Sequence, residues 1–121
     1  MVQISRKLTR VLEKAAQHFP ALVVTGPRRA GKTTLFRHTF PKAKYILLED
    51  PDIQARVRSD PRAFLEELTP PVIFDEIQNV PELLDYVRAL IDAKPRRMGQ
   101  WLFTGSQEAP LMHGIDRKSV V

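Results

Sequence analysis

One eight-residue string restricts this chain more than any other feature. Gly26-Pro27-Arg28-Arg29-Ala30-Gly31-Lys32-Thr33 satisfies the pattern G-x-x-x-x-G-K-[ST]. It follows ALVVT (residues 21–25), a short β-branched run of the kind that forms a strand buried on both faces. It opens residues 31–40, which read as a helix ended by Pro41. A strand that feeds a helix through such a loop makes a cradle. Glycines let the main chain wrap closely, so that N–H groups point inward, and the helix start adds its positive end. The group that fits is a polyphosphate. Lys32 would set an ammonium against its β- and γ-phosphates, and Thr33 would offer a hydroxyl to Mg²⁺. Thr34 either touches the α-phosphate or packs. Arg28 and Arg29 clamp phosphates, meet a partner, or lie in solvent.

The rest of the chain continues the alternation of strand and helix. Residues 5–19 read as an amphipathic helix, with Leu8, Val11, Leu12 and Ala15 at helical spacing and Pro20 as its stop. KYILL (44–48) looks like a second buried strand, closed by Glu49, Asp50 and Pro51. Residues 52–58 and 61–68 suit short helices, the latter with Asp60 as N-cap and Pro61 in the first helical position. PVIF (71–74) is a third strand, residues 81–93 a helix, and QWLFT (100–104) a fourth strand ended by Gly105. Such alternation predicts an α/β fold with a parallel sheet and right-handed crossovers.

The third strand delivers two adjacent carboxylates, Asp75 and Glu76, 43 residues beyond Lys32. Ligands of open parallel sheets bind at the C-terminal strand edge. There Asp75 would hold Mg²⁺, through a water or the Thr33 hydroxyl, and Glu76 would polarise an attacking water as general base. Beside a cation, both can stay ionised. A third position lies at the end of the fourth strand, where Thr104 or Ser106 could meet a γ-phosphate; the bland alternative is a turn.

Composition narrows the class. Apolar residues make up 43% of the 121 positions, enough for a core and against a disordered chain. With no Cys there is neither a disulfide framework nor a thiolate zinc site, which fits a cytoplasmic address. No apolar run approaches the roughly 20 residues of a membrane span, and MVQISRKLTR lacks the apolar stretch of a signal peptide. His18, His38 and His113 share no ligand spacing. Charge is uneven: residues 1–44 hold ten Lys/Arg and one acid, whereas residues 45–92 hold four and eleven. The basic first third permits nucleic-acid contact, as does the cluster Lys94, Arg96 and Arg97, although solvated surface plus the phosphate loop accounts for both. Trp101 reads as packing.

Together these segments resemble the AAA+-related P-loop ATPases of bacteria and archaea that carry a C-terminal domain of unknown function. VTGPRRAGKTTL (24–35) resembles the family's Walker A loop. YILLEDPDIQARVRSDPRAFLEEL (45–68) is similar to its second strand and linker, PVIFDEIQNVPELLDYVRALID (71–92) to its Walker B strand and helix, and WLFTGSQEAPLM (101–112) to its fourth strand and sensor turn. The resemblance implies a three-layer P-loop NTPase core of strand order 5-1-4-3-2 that uses ATP and Mg²⁺. Lys32 and Thr33 would sit on nucleotide and metal, Asp75 on metal, and Glu76 on water. Gln78 and Pro81 also match the pattern, with structural roles expected.

Beyond Met112 the family pattern continues into a fifth strand and a further domain, whereas this chain reads HGIDRKSVV (113–121). That ending predicts one domain over residues 1–121, truncated after the sensor turn. Its sheet would have about four strands, the fifth missing, and residues 113–121 would be a tail outside the pattern. The first strand would then be a sheet edge open to pairing with another chain. Hydrolysis would not be assured, and no arginine finger is assigned: Arg117 is not matched, and Arg58, Arg62, Arg96 and Arg97 qualify by charge alone. The leading expectation is an ATP-binding, Mg-dependent hydrolase that couples nucleotide state to a protein partner. The alternatives are a nucleotide-binding switch without turnover and a small phosphotransferase. A nucleic-acid binder is a fourth reading. No guanine-reading Asn-Lys-x-Asp string occurs, which favours adenine.

Overall fold

The computed structural model describes residues 6–26 and 31–105, and the main chain of Lys118–Val120. Elements run in the order α1 (Arg6–His18), β1 (Ala21–Thr25), α2 (Lys32–Thr39), β2 (Lys44–Leu47), α3 (Pro51–Ser59), α4 (Pro61–Glu66), β3 (Val72–Asp75), a 3-10 turn (Ile77–Asn79), α5 (Leu83–Ala93), β4 (Trp101–Gly105) and β5 (Lys118–Val120). All strands pair in parallel, in the order β2-β3-β4-β1-β5.

Alternation along the strands divides the core into two layers. Leu22, Val24, Ile73 and Leu102 meet Leu12 and Ala15 of α1 and Leu35 and Phe36 of α2. Ala21, Val23, Ile46, Phe74 and Phe103 meet Val57, Phe64, Leu65 and the Leu83, Leu84, Val87 and Ile91 stripe of α5. Helices therefore cover both faces, as an all-parallel sheet requires. The centre is aromatic: the Phe74 ring stacks on Phe103 at 5.6 Å and on Trp101 at 6.1 Å.

Two expectations are corrected. The fifth strand is present: Ala21, Leu22 and Val23 pair with Lys118, Ser119 and Val120, so β1 is flanked on both sides and is no edge. A three-residue strand has no side-chain period long enough to read, because it exists through main-chain hydrogen bonds to a neighbour. The KYILL segment, expected to be buried, is the opposite edge of the sheet. Lys44 is exposed there and Leu47 is 37% exposed, since β2 has β3 on one side and, among the described residues, no strand on the other.

Local chemistry sets the helix starts. Asp60 caps α4, accepting the Ala63 N–H at 3.1 Å. Asp50, read as the close of a strand, also caps: it accepts the Asp52 N–H at 2.8 Å and starts α3 at Pro51. Gly31 precedes α2 at φ 82°, ψ 14°, the left-handed region that a residue with Cβ enters only at a penalty.

Candidate functional site

Parallel pairing brings the ends of β1, β3 and β4 to one sheet edge. The register sets Thr25 beside Gly105, and Phe74 beside Phe103 one step before Asp75. Onto that edge α2 brings Lys32 and Thr33. Lys32, Asp75, Glu76 and Thr104 are the buried polar and charged residues among those described, at 6%, 7%, 6% and 0% exposure. They were read from segments far apart in the chain and they form one connected cluster.

Lys32 Nζ donates to the carbonyls of Gly26 at 2.9 Å and Gly105 at 2.8 Å, and lies 3.4 Å from Glu76 Oε1. Two of its three donors thus tie the start of the loop to the end of β4, where the Gly26 N–H also reaches the Gly105 carbonyl at 3.3 Å. Thr33 Oγ1 donates to Asp75 Oδ1 at 2.7 Å. Thr104 Oγ1 donates to the same oxygen at 2.5 Å and accepts the Glu76 N–H at 2.9 Å. Thr104 therefore holds the two acids in relation to each other, with its hydroxyl engaged inside the fold. Thr34 is exposed in the first turn of α2. Pro27, Arg28, Arg29, Ala30 and Ser106 lie outside the described residues, as do His113 and Arg117.

Two partners were not read from the sequence. Tyr45, on the edge strand, donates its hydroxyl to Asp75 Oδ2 at 2.5 Å, with the Arg37 guanidinium 4.9 Å above its ring. Asp75 thus accepts three hydroxyls and, among the described residues, has no cation against it. The implied order 5-1-4-3-2 was the available signal, because it seats β2 next to the Asp75 strand. Gln78, expected to be structural, donates Nε2 to Glu76 Oε2 at 2.5 Å.

Burial first, then the hydrogen bond and negative charge of Asp75, raise the Tyr45 phenol well above its ordinary value of 10.0. A folded-state value above the unfolded one means that this contribution to stability is complete below about pH 10 and is lost as pH rises further. Ultraviolet-monitored alkaline titration should therefore show a delayed tyrosine transition that disappears in Tyr45→Phe. A parental titration in which both tyrosines ionise together near the ordinary value would contradict the contact.

The donor set suits a hard divalent cation. Thr33 and Asp75 present hard oxygens 2.7 Å apart, the ligand type Mg²⁺ takes while keeping several waters. The buried cluster holds one ammonium against two carboxylates, an imbalance that a divalent cation reverses. Among the described residues, no helix is long and apolar enough to cross a membrane.

A family model described as "AAA domain" matches residues 18–120, running through the segment expected to lie outside the pattern. Two curated relatives, the uncharacterized proteins Mb2031c of Mycobacterium bovis and Rv2008c of Mycobacterium tuberculosis, are each 32% identical over 102 residues, 84% of this chain. The chain spans 23% of their length. Among solved structures, the Thermotoga maritima RuvB Holliday junction branch migration motor superposes with a TM-score of 0.59 at 15% identity, over 98% of this chain and 45% of that one. PCH-2 of C. elegans does so with a TM-score of 0.54, also at 15% identity, over 98% of this chain and 43% of its own. At such identity these two report the fold. The strand order, the loop-to-helix junction on the sheet edge and the family match place the chain in the AAA domain family, as an AAA+-related P-loop ATPase-type domain built for nucleotide binding.

Proposed function

We propose that this domain binds Mg-ATP on the loop from Gly26 to Thr34 and hydrolyses it, passing its nucleotide state to a protein partner. The observation that carries the reading is the connected, largely buried chain Lys32–Glu76–Thr104–Asp75–Thr33 at the C-terminal sheet edge. Lys32, pinned by two carbonyls, keeps one N–H donor for a phosphate oxygen. Thr33 and Asp75 would hold Mg²⁺, which when bound would supply positive charge against that developing on the phosphate. Glu76 would orient the attacking water and accept its proton. Asp75, held by three hydroxyls, keeps its carboxylate in one orientation for the metal. Lys32 also grips the Gly105 carbonyl at the end of β4. A phosphate that draws Lys32 away would release that strand end, a physical route from nucleotide state to a partner. Water activation by adjacent carboxylates favours hydrolysis over transfer to a hydroxyl acceptor. A cytoplasmic address belongs to the same reading.

Titration calorimetry with Mg-ATP tests the site. Lys32→Ala removes a charge-assisted contact worth about 1.5–3 kcal/mol, so Kd should rise roughly 10- to 150-fold. Parental affinity in the variant would overturn the assignment. Phosphate release, measured with and without hydroxyl acceptors, separates hydrolysis from transfer.

A further inference from the structure

We infer that Gln78 is a positioning residue for the proposed hydrolysis: its side-chain amide holds the Glu76 carboxylate in the orientation from which it takes a proton from water. The inference rests on the reading of Glu76 as general base.

The turn after β3 builds the contact. Glu76 sits at φ 60°, ψ 59°, the left-handed region, and the chain then closes a single 3-10 turn over Ile77–Asn79. A residue with Cβ enters that region at a penalty, so the surroundings must enforce it. They do: the Asn79 N–H and side-chain amide both donate to the Glu76 carbonyl, at 3.1 Å and 3.0 Å. Arg58 of α3 donates to the Asn79 carbonyl at 3.0 Å and pairs with Glu82 at 2.6 Å, anchoring the turn from a neighbouring helix. The reversal folds the side chain of residue 78 back onto that of residue 76.

The two oxygens of Glu76 consequently have different neighbours. Oε1 lies 3.4 Å from the Lys32 ammonium, and Oε2 accepts from Gln78 Nε2. Without the second contact, the carboxylate would be free to rotate onto Lys32. The amide orientation follows from the chemistry, because a carboxylate accepts and so the NH₂ end must face it.

That orientation leaves Gln78 Oε1 buried with no hydrogen-bond partner among the described residues. A buried unsatisfied acceptor costs about as much stability as a hydrogen bond to a charged group returns. On stability alone, an unbranched apolar residue would serve nearly as well. What it could not do is donate to Glu76, and that donation is what the glutamine retains.

The test is a double-mutant cycle on Gln78→Met and Glu76→Gln, read by thermal melting, by Kd for a non-hydrolysable ATP analogue and by turnover. Gln78→Met should melt with the parent and bind the analogue as the parent does. Its kcat should fall about 10- to 100-fold, the scale for losing an orienting contact. On the Glu76→Gln background, the same change should lower turnover no further, because it acts through the missing carboxylate. Parental kcat in Gln78→Met, an equal loss in both backgrounds, or a fall in melting temperature that tracks the fall in kcat would each overturn the inference. Gln78→Asn, whose shorter amide keeps polarity but loses reach, should behave as Gln78→Met; if it retains parental kcat, the inference is also wrong. Parental turnover in Glu76→Gln alone would instead remove the underlying reading of Glu76 as general base.

Discussion

Glu76→Gln should leave Mg-ATP binding intact and lower turnover by about 10²- to 10⁴-fold, the range lost with a general base. The substitution keeps shape and changes one property: the carboxylate that can take a proton becomes an amide that cannot. Its main-chain N–H still reaches Thr104 Oγ1, and its carbonyl oxygen can still accept from Gln78. Removing one of two buried carboxylates also makes the cluster around Lys32 less negative, which favours a polyanion, so affinity should hold or tighten. Single-turnover phosphate release beside a binding titration separates the two quantities. Weakened binding with parental kcat would make Glu76 a structural partner of Lys32 and no base.

Phe74→Ala should be the most destabilising of the simple core truncations, by about 3–5 kcal/mol. Phe74 is fully buried, stacks on both Phe103 and Trp101, and sits one residue before Asp75 in β3, with strands paired on either side. No neighbour can collapse into the space left, since β2 and β4 hold the backbone at fixed spacing. Against a typical domain stability of about 5–15 kcal/mol this is a large fraction. The midpoint of thermal unfolding should fall by roughly 10–20 °C. Phe74→Leu, which keeps most of the volume, should lose less. If Phe74→Ala melts within a few degrees of the parent, the aromatic stack is not the centre of the core. The two predictions are linked through the strand: the residue that anchors it also fixes where Asp75 and Glu76 emerge.

What was legible in the chain was whatever depends on near neighbours. ALVVT forms β1 at the residues expected, because a β-branched apolar run bounded by proline and glycine has few other uses. Asp60 caps α4 because cap and N–H lie three residues apart. Lys32, Thr33, Asp75 and Glu76 could be singled out because each stands at a junction of strand with loop or loop with helix.

The rest required the fold. That β2 is an edge and β5 exists follows from which strands lie side by side, and main-chain pairing between distant segments leaves no period in either one. The Tyr45 hydroxyl on Asp75 depends on neighbouring strands bringing together residues 30 positions apart. The grip of Gln78 on Glu76 depends on one left-handed backbone angle, which no residue type other than glycine announces in advance. Sequence alone determined which chemical groups this protein carries to its sheet edge. Tertiary structure decided which of them touch, because contact there is set by strand order and backbone sign, and neither is a property of any short segment.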